Sequence, residues 1–316
     1  MSKVKIKKRY WIPAAAVAVT AAIVLSVPNM VFNFIFSKPK RSTKIPSYYI
    51  GTPHYNASQA GLKLMKELPN EDHYITSRDG LKLHAYLFPA EEKSNKFVIG
   101  VHGYRSYSRP ECAPYIDFYR SLGYNMLMVD DRAHAPSEGE YIGMGVLDRL
   151  DVIDWAKYLV ETYGEDTEIL MHGVSMGAAT VLAASGEEEL PSQVKGIIGD
   201  CGFTSIHDIL THQLKEMAHL PADLILPRME KLAEKKIGIN FTDYSAIEQL
   251  KNAEVPILFV QGGKDEMVPP YMVHELYDAC SSEKKLLFVD EAGHGESIAF
   301  APDAYHEAIK ELFNIG

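Results

Sequence analysis

The chain has 316 residues, of which 47% are hydrophobic and 23% charged, which is enough apolar material for one large domain with an appendage. Its net charge is −10, but the first 45 residues carry nine basic and no acidic residues, so the remainder carries −19. A domain this acidic is repelled by phosphate backbones, which excludes nucleic acid as a partner. Three widely spaced cysteines argue against a disulfide framework.

The N-terminal region combines basic flanks with an apolar centre. Residues 11–36 contain no charged side chain, and five basic residues precede them. This length spans a hydrocarbon core, so the sequence predicts a basic tail and membrane anchor over residues 1–37 and a linker over residues 38–55. A cleaved signal peptide is the alternative, but the bulky end of the stretch is a poor cleavage site. A short basic tail of this kind is typical of a segment that keeps its N terminus in the cytosol, which predicts a single-pass anchor and an extracytoplasmic catalytic domain.

Residues 56–316 show the pattern of one α/β domain. A helix is predicted near residues 57–68, followed by an antiparallel hairpin. Apolar strands and helices then alternate to the C terminus, which is typical of a mostly parallel central sheet flanked by helices. Residues 203–244 hold more helix than a crossover needs, and they are predicted to form a small cap over the site. Packing onto the domain accounts for most apolar residues of this cap, and an acyl-chain pocket is the functional alternative.

The motif Gly-Val-Ser-Met-Gly at residues 173–177 is the most informative stretch of the chain. It lies between a predicted buried strand and a predicted helix. A serine in this context sits on a nucleophile elbow, a strained turn that projects the hydroxyl above the sheet. The sequence therefore predicts that Ser175 is a nucleophile.

A serine nucleophile needs a base, and the base needs an orienting acid. Asp265 and His294 each follow a later apolar strand, so serine, aspartate and histidine occur in the order that this architecture uses. Their loops meet at the edge where open α/β sheets bind ligands. Asp200, at the end of an earlier strand, is an alternative acid, and the Gly-Gly-x-Asp-x-x-Val-Pro setting of Asp265 favours the later residue.

With motifs spread from about residue 74 to the C terminus, the chain resembles serine hydrolases of the α/β-hydrolase superfamily. It is similar to bacterial hydrolases of the lysophospholipase and serine-aminopeptidase-like group, which includes members with an N-terminal membrane segment. The resemblance implies the α/β-hydrolase fold, with Ser175 as nucleophile, His294 as general base and acid, and Asp265 as the residue that orients the histidine.

The resemblance also implies an oxyanion hole formed by two backbone N–H groups. One belongs to Met176, directly after the nucleophile, and the other to Tyr104, in the His-Gly-x motif after the predicted strand at residues 97–101. The sequence departs from the family in one loop. Where relatives carry Arg-Gly-His-Gly-x-Ser, residues 132–137 read Arg-Ala-His-Ala-Pro-Ser, which leaves the conformation of this loop open.

The functional prediction is a serine hydrolase that cleaves a carboxylic ester with a small or medium acyl chain, and lipid-derived esters are attractive if the anchor holds the site near lipid. No cofactor and no metal are expected, because no metal-ligand spacing or phosphate-binding loop is evident. The expected partners are the ester substrate and, through the N-terminal helix, the membrane, with no obligate protein partner evident. Amide or peptide hydrolysis, acyl transfer to an alcohol, and a catalytically silent binding protein remain alternatives.

Overall fold

The computed structural model describes residues 27–39, 51–134, 136–241 and 244–316. Eight strands form a single sheet: β1 (Glu71–Thr76), β2 (Lys82–Phe88), β3 (Lys96–Val101), β4 (Asn125–Asp130), β5 (Glu168–Val174), β6 (Val194–Asp200), β7 (Ile257–Gly262) and β8 (Lys284–Val289). Their order across the sheet is β1-β2-β4-β3-β5-β6-β7-β8. The pairs β1–β2 and β2–β4 are antiparallel and the other pairs are parallel, so the predicted hairpin and the mostly parallel sheet are confirmed.

Helices cover both faces of this sheet. In the described chain they are α1 (described over residues 27–36), α2 (Pro53–Met65), α3 (Ser108–Cys112), α4 (Ile116–Ser121), α5 (Asp148–Tyr163), α6 (Met176–Ala184), α7 (Ile206–His212), α8 (Ala222–Ile237), α9 (Ala246–Leu250), α10 (Tyr271–Ala279), α11 (Ser297–Phe300) and α12 (Pro302–Phe313). Helix α2 begins inside the stretch predicted as linker, because the Thr52 hydroxyl accepts from the N–H of Tyr55 and a proline occupies the first turn.

The central strands are buried on both faces, which is why they read as nearly continuous apolar runs. Successive side chains of a strand point to opposite faces. Ile99 and Val101 of β3 therefore join the cluster that includes α5, α6 and α10, whereas Val98 joins the cluster that includes α2, α4 and α12. The sheet is thus the middle layer of three, and its carboxyl edge is left for the site.

A third buried cluster lies over that edge, in the segment predicted as the cap. Helix α7 continues into a π-helical turn, Gln213–Met217, and α8 follows. Their buried residues, among them Leu210, Leu214 and Met229, pack with apolar residues of the loops around the site. An element with one buried face and one charged face covers the sheet edge in this way.

Helix α1 belongs to the same cluster. Its Phe32 and Phe36 are fully buried, and the ring of Phe36 stacks on that of Phe241 with centroids 5.7 Å apart. The predicted anchor falls mainly on residues 1–26 and the predicted linker mainly on residues 40–50, both outside the described residues. In the part of the chain that the structure describes, no helix has the length and apolar character to cross a bilayer. The N-terminal transmembrane helix therefore stays a prediction.

Candidate active site

Ser175 lies on a tight turn between β5 and α6. Its φ of 57° is strained for a residue with a side chain, and the flanking glycines make the turn possible. A Cβ on Gly173 would lie 2.1 Å from the carbonyl oxygen of Gly177, and one on Gly177 would lie 2.2 Å from that of Val101. The Ser175 N–H donates to the carbonyl of Asp200 across the sheet edge, at 2.8 Å. The turn is held open for a hydroxyl at the top of the sheet, as the motif predicts.

Asp265 lies on the loop after β7 and is only 3% exposed. Its Oδ1 accepts from the backbone N–H groups of Met267 and Val268 at 2.9 and 2.8 Å. Its Oδ2 accepts from the His294 ring at 2.8 Å and from the side-chain amide of Gln261 at 3.1 Å. Both oxygens of the carboxylate are therefore fixed, and one of them faces the histidine.

His294, on the loop after β8, connects the other two residues. Its Nδ1 is the atom bonded to Asp265, and its Nε2 lies 2.9 Å from the Oγ of Ser175. Burial alone would lower the pKa of His294, but the charge and hydrogen bond of Asp265 outweigh it, and Glu111 and Asp200 add to the rise. The structure thus brings the three residues singled out from the sequence into one hydrogen-bonded line.

The alternative acid, Asp200, is engaged elsewhere. It is fully buried, and its Oδ2 accepts from the hydroxyl of Tyr305 at 3.0 Å. Burial raises the pKa of Asp200 to about 7. The same tyrosine hydroxyl lies 3.0 Å from Nε2 of His172, whose Nδ1 lies 2.9 Å from the hydroxyl of Tyr119. Asp200 is therefore the end of a buried network beneath the site, and it makes no hydrogen bond to His294.

The two residues that the resemblance implies as backbone donors lie close to the nucleophile. Met176 is the first residue of α6, so its N–H is one of those that a helix leaves without an internal partner. Tyr104 follows Gly103, whose position is so close to the site that a Cβ there would lie 3.3 Å from Cβ of Ser175. His102 holds this loop: its ring accepts from the N–H of Asp131 at 3.1 Å and bonds the carbonyl of Gly103 at 2.8 Å.

The loop of residues 132–137, where the sequence departs from the family pattern, adopts a conformation that explains the family's preference for glycine. Ala133 has a φ of 62°, in the region that glycine occupies freely and other residues rarely do. The neighbouring Arg132 is buried and bonds Asp151 and Asp79, while His134 accepts from the N–H of Arg105 at 3.2 Å. The alanine is thus held in a strained turn by the ion pairs beside it.

A cavity of about 570 Å³ opens at the serine hydroxyl. Its wall is mostly apolar and is built by the cap, by α1 and by the loop after β7; it includes Val31, Ile35, Leu210, Leu214, Leu220 and Val268. Volumes of this size suit small organic ligands. The sequence did not single out two polar residues here. Gln261 supports the Asp265 carboxylate, and Glu111, 4% exposed, lines the cavity beside Ser175 and His294. The only sequence signal for Gln261 was its position as a polar residue at the end of an apolar strand.

One set of side chains among the described residues has the spacing of metal donors: Cys201, Asp265 and His294, whose ligand atoms lie within 4.8 Å of one another. Burial raises the pKa of the Cys201 thiol well above its usual range. A thiolate is the form that binds metals, and the other two groups already bond each other. These three side chains are therefore better described as the hydrogen-bonded pair of Asp265 and His294, with the buried neutral thiol of Cys201 beside it, than as a set of metal ligands.

Comparison with known proteins identifies a family model and several relatives that the chain matches. The model of the prolyl oligopeptidase family matches residues 137–311. Two relatives are YqkD of Bacillus subtilis, 24% identical over 76% of this chain and 78% of its own, and the membrane protein YNL320W of Saccharomyces cerevisiae, 25% identical over 78% and 80%. The α/β hydrolase domain-containing protein WAV2 of Arabidopsis thaliana is 25% identical over 70% of each chain.

Solved structures show the same fold. The Pyrococcus furiosus esterase Pf2001 superposes with a TM-score of 0.66 at 24% identity, covering 88% of this chain and 97% of its own. The acylaminoacyl peptidase of Pyrococcus horikoshii superposes with a TM-score of 0.57 at 16% identity, covering 80% of this chain and 42% of its own. The chain belongs to the prolyl oligopeptidase family and is a serine hydrolase of the α/β-hydrolase superfamily.

Proposed function

We propose that the protein is an esterase that hydrolyses carboxylic esters of small or medium acyl chains through an acyl-enzyme on Ser175. One observation carries this proposal: the line of hydrogen bonds from Asp265 through His294 to Ser175 ends at the floor of a mostly apolar cavity. The likeness to an esterase of known structure supports it.

In the proposed mechanism, Nε2 of His294 accepts the hydroxyl proton while Oγ of Ser175 bonds to the carbonyl carbon. The negative charge that develops on the carbonyl oxygen is stabilised by the N–H groups of Tyr104 and Met176. When the tetrahedral intermediate collapses, the histidine returns its proton to the leaving alcohol. Water then attacks the acyl-enzyme with the same histidine as base, releasing the acid and the free serine. Asp265 holds the imidazole in the tautomer that leaves Nε2 free to accept.

A fluorophosphonate probe tests the nucleophile. We expect labelling of the full chain at Ser175, located by peptide mass spectrometry, and no labelling of the Ser175→Ala variant at an unchanged melting temperature. Esters of increasing acyl length should then be hydrolysed by the wild type alone. A folded protein that takes no label would favour the catalytically silent binding protein.

Glu111 is the observation that favours the second candidate, an amide or peptide hydrolase. Its carboxylate is buried at the cavity wall, where it could accept a hydrogen bond from a substrate N–H or ammonium group. Matched ester and amide substrates with the same acyl group separate the two candidates by their kcat/KM values. Adding an alcohol and analysing the products distinguishes hydrolysis from acyl transfer.

We also propose that residues 1–37 anchor the protein in a membrane, with the catalytic domain on the extracytoplasmic side. The basic residues before residue 11 and the uncharged run that begins there support this, as does the description of the yeast relative as a membrane protein. Because residues 27–36 pack against the catalytic domain, the part of the anchor proposed to lie in the membrane is residues 11–26. Full-length protein should remain in membranes washed at alkaline pH, and protease added to intact spheroplasts should degrade the domain. A shortened soluble product would indicate signal cleavage instead.

A further inference from the structure

Helix α1 is docked on the catalytic domain by a buried aromatic contact. Phe32 and Phe36, one turn apart, are fully buried, and their rings stack at 5.0 Å. Phe36 stacks in turn on Phe241 beyond α8, and the ammonium group of Lys236 lies 4.9 Å from the ring of Phe32. One face of α1 is therefore part of the domain's core.

Hydrogen bonds fix the end of the helix. The N–H of Ile142 donates to the carbonyl of Phe36 at 2.7 Å, and the N–H of Lys38 donates to the carbonyl of Glu140 at 2.8 Å. The Lys38 ammonium also donates to the carbonyl of Ser137 at 3.0 Å. The segment after α1 thus pairs with the loop that follows β4, and its position is set by backbone contacts as well as by packing.

The loop that carries Tyr104 caps the carboxyl end of α1. The last carbonyls of a helix have no partner within it and favour a nearby cation. Here the Tyr104 hydroxyl donates to the carbonyl of Ile35 at 2.8 Å, and the Arg105 guanidinium donates to the carbonyl of Phe34. The residue whose N–H is the proposed oxyanion donor is therefore bonded through its own side chain to α1.

A second face of α1 lines the cavity above the nucleophile. Val31, Phe34 and Ile35 belong to this wall, and Leu210 and Leu214 of the cap line the same cavity. Val31 and Ile35 are partly buried and one turn apart, so they present a continuous apolar strip. Phe34 is 72% exposed and marks the mouth of the cavity. The apolar part of the pocket is thus enclosed between the cap and a segment that, by sequence, reads as the end of a membrane anchor.

We propose that α1 is a fixed wall of the acyl-chain site and that Ile35, with Val31, determines the acyl-chain length that the enzyme accepts. The proposal rests on the esterase function proposed above. Each methylene that moves from water into such a cavity changes binding by roughly fourfold. A larger side chain that keeps two or three methylenes of a long acyl chain out of this cavity therefore lowers the reactivity of that chain by about ten-fold or more. The reactivity of short acyl chains is unchanged, because they do not reach this part of the cavity.

The experiment uses the full-length chain and three variants. Ile35→Trp narrows the cavity and Ile35→Ala widens it. Met30→Trp places the same bulky ring on the same helix at a position that is 68% exposed and does not line the cavity. The readout is the ratio of the labelling rates of Ser175 by dodecyl and ethyl fluorophosphonates, together with kcat/KM for acetyl, octanoyl and dodecanoyl esters.

We expect Ile35→Trp to lower the dodecyl-to-ethyl ratio by about ten-fold or more, Ile35→Ala to raise it, and Met30→Trp to leave it unchanged. An unchanged ratio in both Ile35 variants, at wild-type melting temperature, overturns the inference even if esters are hydrolysed. If Ile35→Trp does not fold, an unchanged octanoyl-to-dodecanoyl preference in Ile35→Ala overturns it. A shifted labelling ratio in a protein that hydrolyses no ester would instead contradict the proposed esterase function, while supporting the role of α1 as a wall of the acyl-chain site.

Discussion

The Asp265 carboxylate is bonded on both oxygens, and this determines what an asparagine would do in its place. Oδ1 accepts from two backbone N–H groups, those of Met267 and Val268. Only the carbonyl oxygen of an asparagine can take that position. The amide NH2 group must then point toward the His294 ring and toward the side-chain NH2 of Gln261, where the carboxylate accepted hydrogen bonds.

The consequence for catalysis is a histidine in the wrong tautomer. An NH2 group facing Nδ1 of His294 requires that nitrogen to accept, so the ring proton moves to Nε2, the atom that must take the proton of Ser175. In a serine protease this change lowers kcat by about 10⁴-fold, which corresponds to about 5 kcal/mol of barrier. We expect Asp265→Asn to lose ester turnover by a factor of this order and to keep its fold.

The assay compares kcat for a small activated ester between wild type, Asp265→Asn and the matched variant Asp200→Asn, with melting temperatures as the control. Asp200 bonds Tyr305 and not His294, so Asp200→Asn should retain turnover of the wild-type order. If Asp265→Asn kept wild-type turnover, or if Asp200→Asn were the more damaging change, the assignment of the orienting acid would be wrong.

Two further predictions concern buried ionisable groups. The charge of Glu111 contributes to the raised pKa of His294, and the histidine must be neutral to act as base. Glu111→Gln should therefore move the acid limb of the kcat/KM profile to lower pH. An acid limb that stays in place would mean that the two groups do not interact. Burial lowers the pKa of His172 from 6.5 to about 3, so an unfolded chain binds a proton there that the folded chain does not, and stability falls as pH falls from 6.5 toward 3. Between about pH 7 and pH 5 this group accounts for about 2 kcal/mol of lost unfolding free energy, which urea titrations of wild type and His172→Gln should resolve as a shallower pH dependence in the variant.

The line of serine, aspartate and histidine was predictable because each residue follows a strand whose apolar character is visible in the sequence. The choice between Asp265 and Asp200 was less so, since both end strands at the same edge. What separates them is the hydrogen bond of Tyr305, a residue of α12 that lies far along the chain. Glu111 gave no signal because its burial results from the packing of α3 against β3 and β4.

The docking of α1 could not be read from the sequence for a different physical reason. Residues 11–36 carry no charged side chain, and within such a stretch Phe32 and Phe36 look the same whether they face lipid or a protein core. The ring that receives them, Phe241, and the backbone that pairs with the segment, at Glu140 and Ile142, are distant in sequence. Local pattern defines an apolar helix, and only the tertiary fold says what covers it.

Helix α1 also decides how the chain holds the catalytic domain. The described part of α1 begins at Val27, about 10 Å along the helix from Phe34 at the mouth of the cavity. The chain therefore joins the domain at a helix that is hydrogen-bonded to it beside the cavity mouth. If the preceding residues hold the chain at a membrane, as proposed above, that attachment reaches the domain beside the cavity mouth, so access to a surface-bound substrate depends on where the cavity faces as well as on distance.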